Sequence, residues 1–139
     1  MTFHVLTAVA LALSVPTPEL TPVAAAAREA FTTRDFTRLL EPRRSVRLAL
    51  PGRPALPVIG GAAAAATLQA FTRRTEDREV TLVRSALVEA RYGYIELTRI
   101  FRVLGTQQWQ RDRILLSAVL DGGRWRVAEV LIVAAPEER

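Results

Sequence analysis

The chain has 139 residues, half of them hydrophobic and 24% charged. That balance suits one globular domain and excludes a disordered chain or a polytopic membrane protein. The net charge is +5 and all 19 basic residues are Arg, but they are mixed with acids, as in Arg73-Arg74-Thr75-Glu76-Asp77-Arg78-Glu79, so no nucleic-acid-binding stripe is expected.

Cys is absent, which excludes disulfides, a thiol nucleophile and thiolate metal ligands. No metal site and no cofactor are expected. From Val5 to Val15 an apolar run, too short to cross a bilayer comfortably, ends at Pro16 and Pro18. It reads as a secretory leader, with small residues for cleavage at Ala12-Leu13-Ser14, although Met1-Thr2-Phe3-His4 supplies no Lys or Arg. Residues 1–22 are therefore assigned to a signal peptide and Pro-rich linker, and residues 23–135 to one domain. The expectation is an exported protein, periplasmic or extracellular, with no membrane span in its mature chain. Left uncleaved, the run would pack on the body as a first strand or helix, and the protein would stay in the cytoplasm.

Thr21 can cap a helix with Pro22 at its first position, running from Val23 to Phe31. Val23, Ala27, Ala30 and Phe31 share one helical face. Thr33 is placed to cap a second short helix through Leu40, with Phe36, Leu39 and Leu40 on its apolar side. Ser45 to Leu50 alternates as a strand, with Val46, Leu48 and Leu50 on one face. Pro54 and Pro57 restrict Arg53 to Ile59 to an edge or irregular segment. Gly60-Gly61 lacks the Lys and Ser/Thr of a phosphate loop and reads as a flexible lead into an Ala-rich helix, Ala62 to Arg73. Leu68 and Phe71 are that helix's expected core anchors.

Four strands follow: Glu79 to Ala90, Tyr94 to Leu104, Arg113 to Leu120 and Arg124 to Val133, with a closing hairpin at Asp121-Gly122-Gly123. Pairing Arg91 with Tyr94 would set Glu89 opposite Glu96, a like-charge pair that sheets avoid, so a shifted register or a bulge is expected. Helices first and a meander last implies an α+β fold.

The residues Ala30-Phe31-Thr32-Thr33-Arg34-Asp35-Phe36, the helix from Gly60 to Phe71, and Asp121-Gly122-Gly123-Arg124-Trp125-Arg126-Val127 occur in an order that resembles the nuclear transport factor 2-like (cystatin-like, SnoaL-like) superfamily. With Gly93-Tyr94-Ile95-Glu96-Leu97, the wording looks most like uncharacterised bacterial members, domains of unknown function. The resemblance spans Val23 to Val133. It implies N-terminal helices packed in the concave face of a strongly bent antiparallel sheet, a cone with a pocket. Enzymes of that superfamily, such as ketosteroid isomerase, scytalone dehydratase and the polyketide cyclases, use a pocket Asp or His with Tyr or Asp partners. Here the sole His, His4, lies in the leader and no Asp falls within a predicted strand, so no catalytic residue is assigned.

Glu89, Glu96 and Glu129 are the strand carboxylates available as a base. Glu96 shares a face with Tyr94, Thr98 and Arg102 at the two-residue period, so Tyr94 and Glu96 could enolise or dehydrate a small ligand. A surface ion pair of Glu96 with Arg102 or a neighbouring Arg is the simpler reading. Glu129 falls on the Trp125-Val127-Leu131 face of a regular strand, with Arg99 or Arg113 as partner, and Trp125 reads as a core plug that could also stack on a ligand. The candidate pocket residues are thus Tyr94, Glu96, Arg102, Trp125 and Glu129. Trp109, in a polar turn with Gln107, Gln108 and Gln110, is either an exposed anchor for a partner or folded back on the sheet. The function expected first is a non-enzymatic domain binding a small apolar ligand or a protein partner. A small lyase or isomerase using Glu96 and Tyr94 is one alternative. The other is a homodimer, suggested by apolar residues on both faces of Ile114 to Leu120.

Overall fold

The computed structural model describes residues 19–54 and 57–135. The apolar run Val5–Val15 and its cleavage site lie outside the described residues. Helix α1 spans Thr21–Thr33, with Pro22 in its first turn and Leu20 at its N-cap, which supplies no side-chain hydrogen bond. The Thr21 cap is therefore not formed. Ala24, Ala27, Ala30 and Phe31 are the buried face of α1, and the three small alanine side chains let the helix approach the sheet closely. The helix stops at Arg34, a non-glycine residue at φ 63°. That left-handed conformation costs about 1–2 kcal/mol. A hydrogen bond donated by the Arg34 guanidinium to the Thr75 carbonyl helps to hold it.

The expected second helix is reduced to one turn. Leu40 N–H donates to Phe36 O, and Asp35 rather than Thr33 organises it, accepting hydrogen bonds from both the N–H and the hydroxyl of Thr37. Phe36 still packs edge-on against Phe31, 4.9 Å between centroids.

Strands β1 (Ser45–Ala49) and β2 (Ile59–Gly60) precede helix α2 (Gly61–Arg73). Gly61 is not a flexible lead. It is buried, and a Cβ there would lie 1.9 Å from the Glu41 carbonyl oxygen. The Gly61 N–H donates to Arg44 O at 2.7 Å, so backbone carbonyls of the 41–44 turn serve as the missing cap.

The meander is β3 (Thr75–Glu89), β4 (Tyr92–Val103), β5 (Gln110–Asp121) and β6 (Arg124–Ala134). Its strands start up to four residues earlier than the sequence suggested. Strand order is β2-β1-β6-β5-β4-β3. The meander is antiparallel throughout, while β1 lies parallel to β6 and makes the sheet mixed at that side. Three bulges on β3 leave Arg78, Val83 and Val88 unpaired at five-residue intervals, each adding bend and twist to the strand. They also set Arg84, not Glu89, opposite Glu96, which is the register shift the charges required. Gly122 and Gly123, at φ 59° and 78°, make the β5–β6 turn with the positive φ at both positions that a tight hairpin favours.

One core fills the concave side. Leu20, Phe31, Phe36, Leu40 and Leu68 pack against Ile95, Leu97, Ile114, Leu116, Val130 and Ile132. The architecture is α+β, with both helices against the inner face of an unclosed sheet.

Candidate functional site

Alternation along β4 places Ile95, Leu97, Arg99 and Phe101 on the concave face. Along β5 it does the same for Asp112, Ile114, Leu116 and Ala118. Arg99 and Asp112 face each other directly across the β4–β5 ladder. Arg99 is fully buried, and its Nη2 donates to Asp112 Oδ2 at 2.8 Å. Its Nη1 reaches Thr75 Oγ1 at 3.2 Å and Asp77 Oδ1 at 3.4 Å. The guanidinium carbon lies 4.1 Å from the Phe101 ring centroid and 5.2 Å from that of Phe71. One cation thus holds two carboxylates between two aromatic rings. Burial pushes both aspartate pKa values up, and the Arg99 charge opposes that rise. Asp77 Oδ2 and Arg99 Nε have no hydrogen-bond partner, so the cluster retains bonding capacity.

Beside this cluster opens a cavity of about 300 Å³, at the lower end of small-molecule sites. Its wall includes Phe71, Phe101 and Val103, its floor Thr75 and Asp112, and its mouth Arg53 and Arg74. The ends of α2, β4 and β6 and the starts of β3 and β5 meet here.

Polar residues at the starts of β3 and β5 conceal these groups in the sequence. Asp77 and Asp112 lie inside β3 and β5, so the expectation that no Asp occupies a strand is overturned. The legible signal was Arg99, which interrupts an otherwise apolar Ile95-Leu97-Phe101 face and so demands a buried carboxylate.

Tyr94, Glu96 and Arg102 share a face as the two-residue period requires, but it is the outer one, turned away from the helices. Glu96 is 5% exposed there. Its Oε1 accepts hydrogen bonds from Arg113 Nη2 at 2.9 Å and from the Tyr94 hydroxyl at 3.1 Å, and Arg84 lies 3.8 Å from Oε2. The Arg113 hydrogen bond is the main reason its pKa falls below the ordinary glutamate range. Desolvation and the Glu96 contact raise that of Tyr94. A carboxylate held charged by arginines is a poor general base near neutrality. Arg102 instead pairs with Glu76 at 2.7 Å.

Trp109 folds back on the outer face, its ring 5.0 Å from the Arg102 guanidinium and 5.6 Å from that of Arg78, and retains 36% exposure. Glu129 is also on the outer face. A bulge leaves Ala128 unpaired between Val127 and Glu129, so Glu129 and Leu131 part from Trp125 and Val127. Its partner is Arg47 at 4.0 Å, not Arg99 or Arg113. Trp125 alone of the five faces inward, packed against the core at the opposite end of β6 from the cavity. Glu89 is exposed near the hairpin tip.

Among the described residues, no cluster of His, Cys, Asp and Glu is arranged to hold a metal ion, and no helix is long and apolar enough to cross a membrane.

No protein-family model matches the chain, and no curated protein matches it. Solved structures do. A DUF4783 family protein from Bacteroides ovatus superposes with TM-score 0.65 at 12% identity, covering 81% of this chain and 96% of that one. A ketosteroid isomerase-like protein from Erwinia carotovora atroseptica gives TM-score 0.66 at 18% identity over 84% of this chain and 94% of its own. A putative dehydratase of the nuclear transport factor 2-like family from Streptomyces avermitilis gives 0.65 at 15% over 87% and 96%. At such identities the likeness is one of fold, and the chain has the cystatin-like, nuclear transport factor 2-like fold.

Proposed function

We propose that this chain is a non-enzymatic binding domain that takes a small, largely apolar molecule in the cavity at the mouth of its cone. The observation that carries the reading is Asp112, which lines the cavity while the fully buried Arg99 fixes its orientation. A polar group so positioned at the floor of an aromatic-walled hollow is what a specific small-molecule site needs. Ala70 sits exposed on α2 and borders the same cavity, so Ala70→Phe fills the space without touching the core. Native mass spectrometry of the protein purified from its host should show a small-molecule adduct on the parent chain and none on Ala70→Phe. An adduct surviving the substitution would place the ligand elsewhere.

An enzymatic reading, which the dehydratase-like and isomerase-like neighbours bring to mind, now runs through Asp112 rather than Glu96 and Tyr94. Its raised pKa suits acid–base work, yet Arg99 already occupies its Oδ2. Binding is therefore favoured. A second reading, homodimerisation, draws on the β3–β4 hairpin, where Leu82, Val83, Leu87, Val88 and Tyr92 are all exposed. Export is inferred from the Val5–Val15 run, and the intact mass of protein recovered from its host, expected to lack residues 1–14, tests it.

A further inference from the structure

Resting on the cavity reading above, we propose that the ligand is an amphipathic anion, an apolar body carrying a carboxylate or sulfonate head, seated with the head at the rim between Arg53 and Arg74. Three observations converge. First, Asp112 is the one carboxylate among the residues lining the cavity, and Arg99 has already taken it, at 2.8 Å and 3% side-chain exposure. Second, Arg53 and Arg74 reach the mouth from different segments, the loop after β1 and the end of α2. Both are exposed, and neither forms an ion pair among the described residues. Third, the wall between rim and floor is apolar, built by Phe71, Phe101 and Val103.

The charges also set the ligand's direction. The Asp112 carboxylate repels an anion from the floor, while two guanidinium groups with no ion-pair partner among the described residues attract it at the mouth. Guanidinium donates planar, paired hydrogen bonds that match a carboxylate or sulfonate. The apolar body is left to fill the aromatic hollow.

Two dyes isolate the head group. 8-Anilinonaphthalene-1-sulfonate and N-phenyl-1-naphthylamine share one ring system and differ by the sulfonate, and both fluoresce when moved out of water. Titrated into the full chain, the anionic dye should bind about tenfold or more tightly than the neutral one, the discrimination a charge-assisted contact provides. Arg53→Met and Arg74→Met, which keep apolar stems, should each narrow that gap and together close it, with the neutral dye unchanged. Ala70→Phe should abolish both signals. Equal affinity of the parent chain for the two dyes overturns the anion inference and leaves the cavity reading standing. Failure of both dyes to bind, or binding indifferent to Ala70→Phe, overturns the cavity reading itself. The parent comparison decides even if a variant fails to fold, which its circular dichroism and Tm would reveal.

Discussion

Arg99 is the residue on which the cone's interior turns. A buried guanidinium is tolerated only when its charge is matched, and here Asp112 and Asp77 match it. Arg99→Met would keep an apolar stem between Phe71 and Phe101 but strand two carboxylates. Breaking such a buried pair costs about 3–5 kcal/mol, and urea unfolding at neutral pH should show a loss of that order. A loss below about 1 kcal/mol, the worth of an exposed pair, would mean the cluster is solvated. The aspartates and Glu96 should also respond oppositely to pH. Burial is the largest influence on Asp112 and Asp77 and raises their folded-state pKa values. Their contribution to stability is therefore full below the unfolded pKa and lost as pH rises through the folded one. Glu96 is lowered, chiefly by the Arg113 hydrogen bond, so its contribution is full above the unfolded pKa and lost as pH falls through the folded one. Stability measured against pH should lose part of its acid-side fall in Glu96→Gln and, in Asp112→Asn, part of the fall that sets in as pH rises above the unfolded aspartate pKa. Profiles parallel to the parent's would refute both assignments.

At the scale of elements, periodicity made β1, β4, β5, β6 and both helices legible, because each buries one face and its apolar residues recur at that element's own spacing. What periodicity could not show was where pairing slips. The Ala128 bulge separates Glu129 from Trp125, and no local residue announces it; it follows from the partner strand's register. Strand starts were hidden for a related reason. Thr75-Glu76-Asp77-Arg78 and Gln110-Arg111-Asp112 look like polar loops, yet tertiary pairing draws them into the sheet and Arg99 supplies the charge they need. The role of Gly61 was similarly invisible, since it depends on Glu41 lying against it. Gly61→Ala would force a Cβ to 1.9 Å from a backbone oxygen, so a loss of about 3 kcal/mol is expected, the upper part of the overpacking range. Gly105→Ala meets no neighbour but sits at φ +88°, and should cost about 1–2 kcal/mol from conformation alone. Denaturant midpoints of the two variants check the order, and equal losses would mean the 41–44 turn yields freely.

For the molecule as a whole, the two ends of the sheet differ in what they offer. At one end the strands converge with α2 on the cavity. At the other, β3 and β4 extend as a hairpin whose residues 81–91 on the β3 side are all exposed. Leu82 lies there on the concave side beside α1, sharing a groove with Thr21, Ala24, Ala25 and Arg28, and Leu87 follows on the same side toward the hairpin tip, while Val83 and Val88 are the bulged residues. β3 is also the edge of the sheet, the position from which chains add strand to strand. Bulges at Arg78, Val83 and Val88 interrupt that edge, and Arg84 and Glu89 put charge on it, so strand addition is disfavoured. If two copies associate, they should do so by packing hairpin side chains, and the affinity should depend on those side chains rather than on backbone. Light scattering at micromolar concentration should then give twice the chain mass for the parent and a single-chain mass for Leu87→Glu combined with Val88→Glu, with circular dichroism unchanged because both residues are 52% or more exposed. A strictly single-chain mass for the parent would remove the homodimer and leave the cone's mouth as the surface on which function rests.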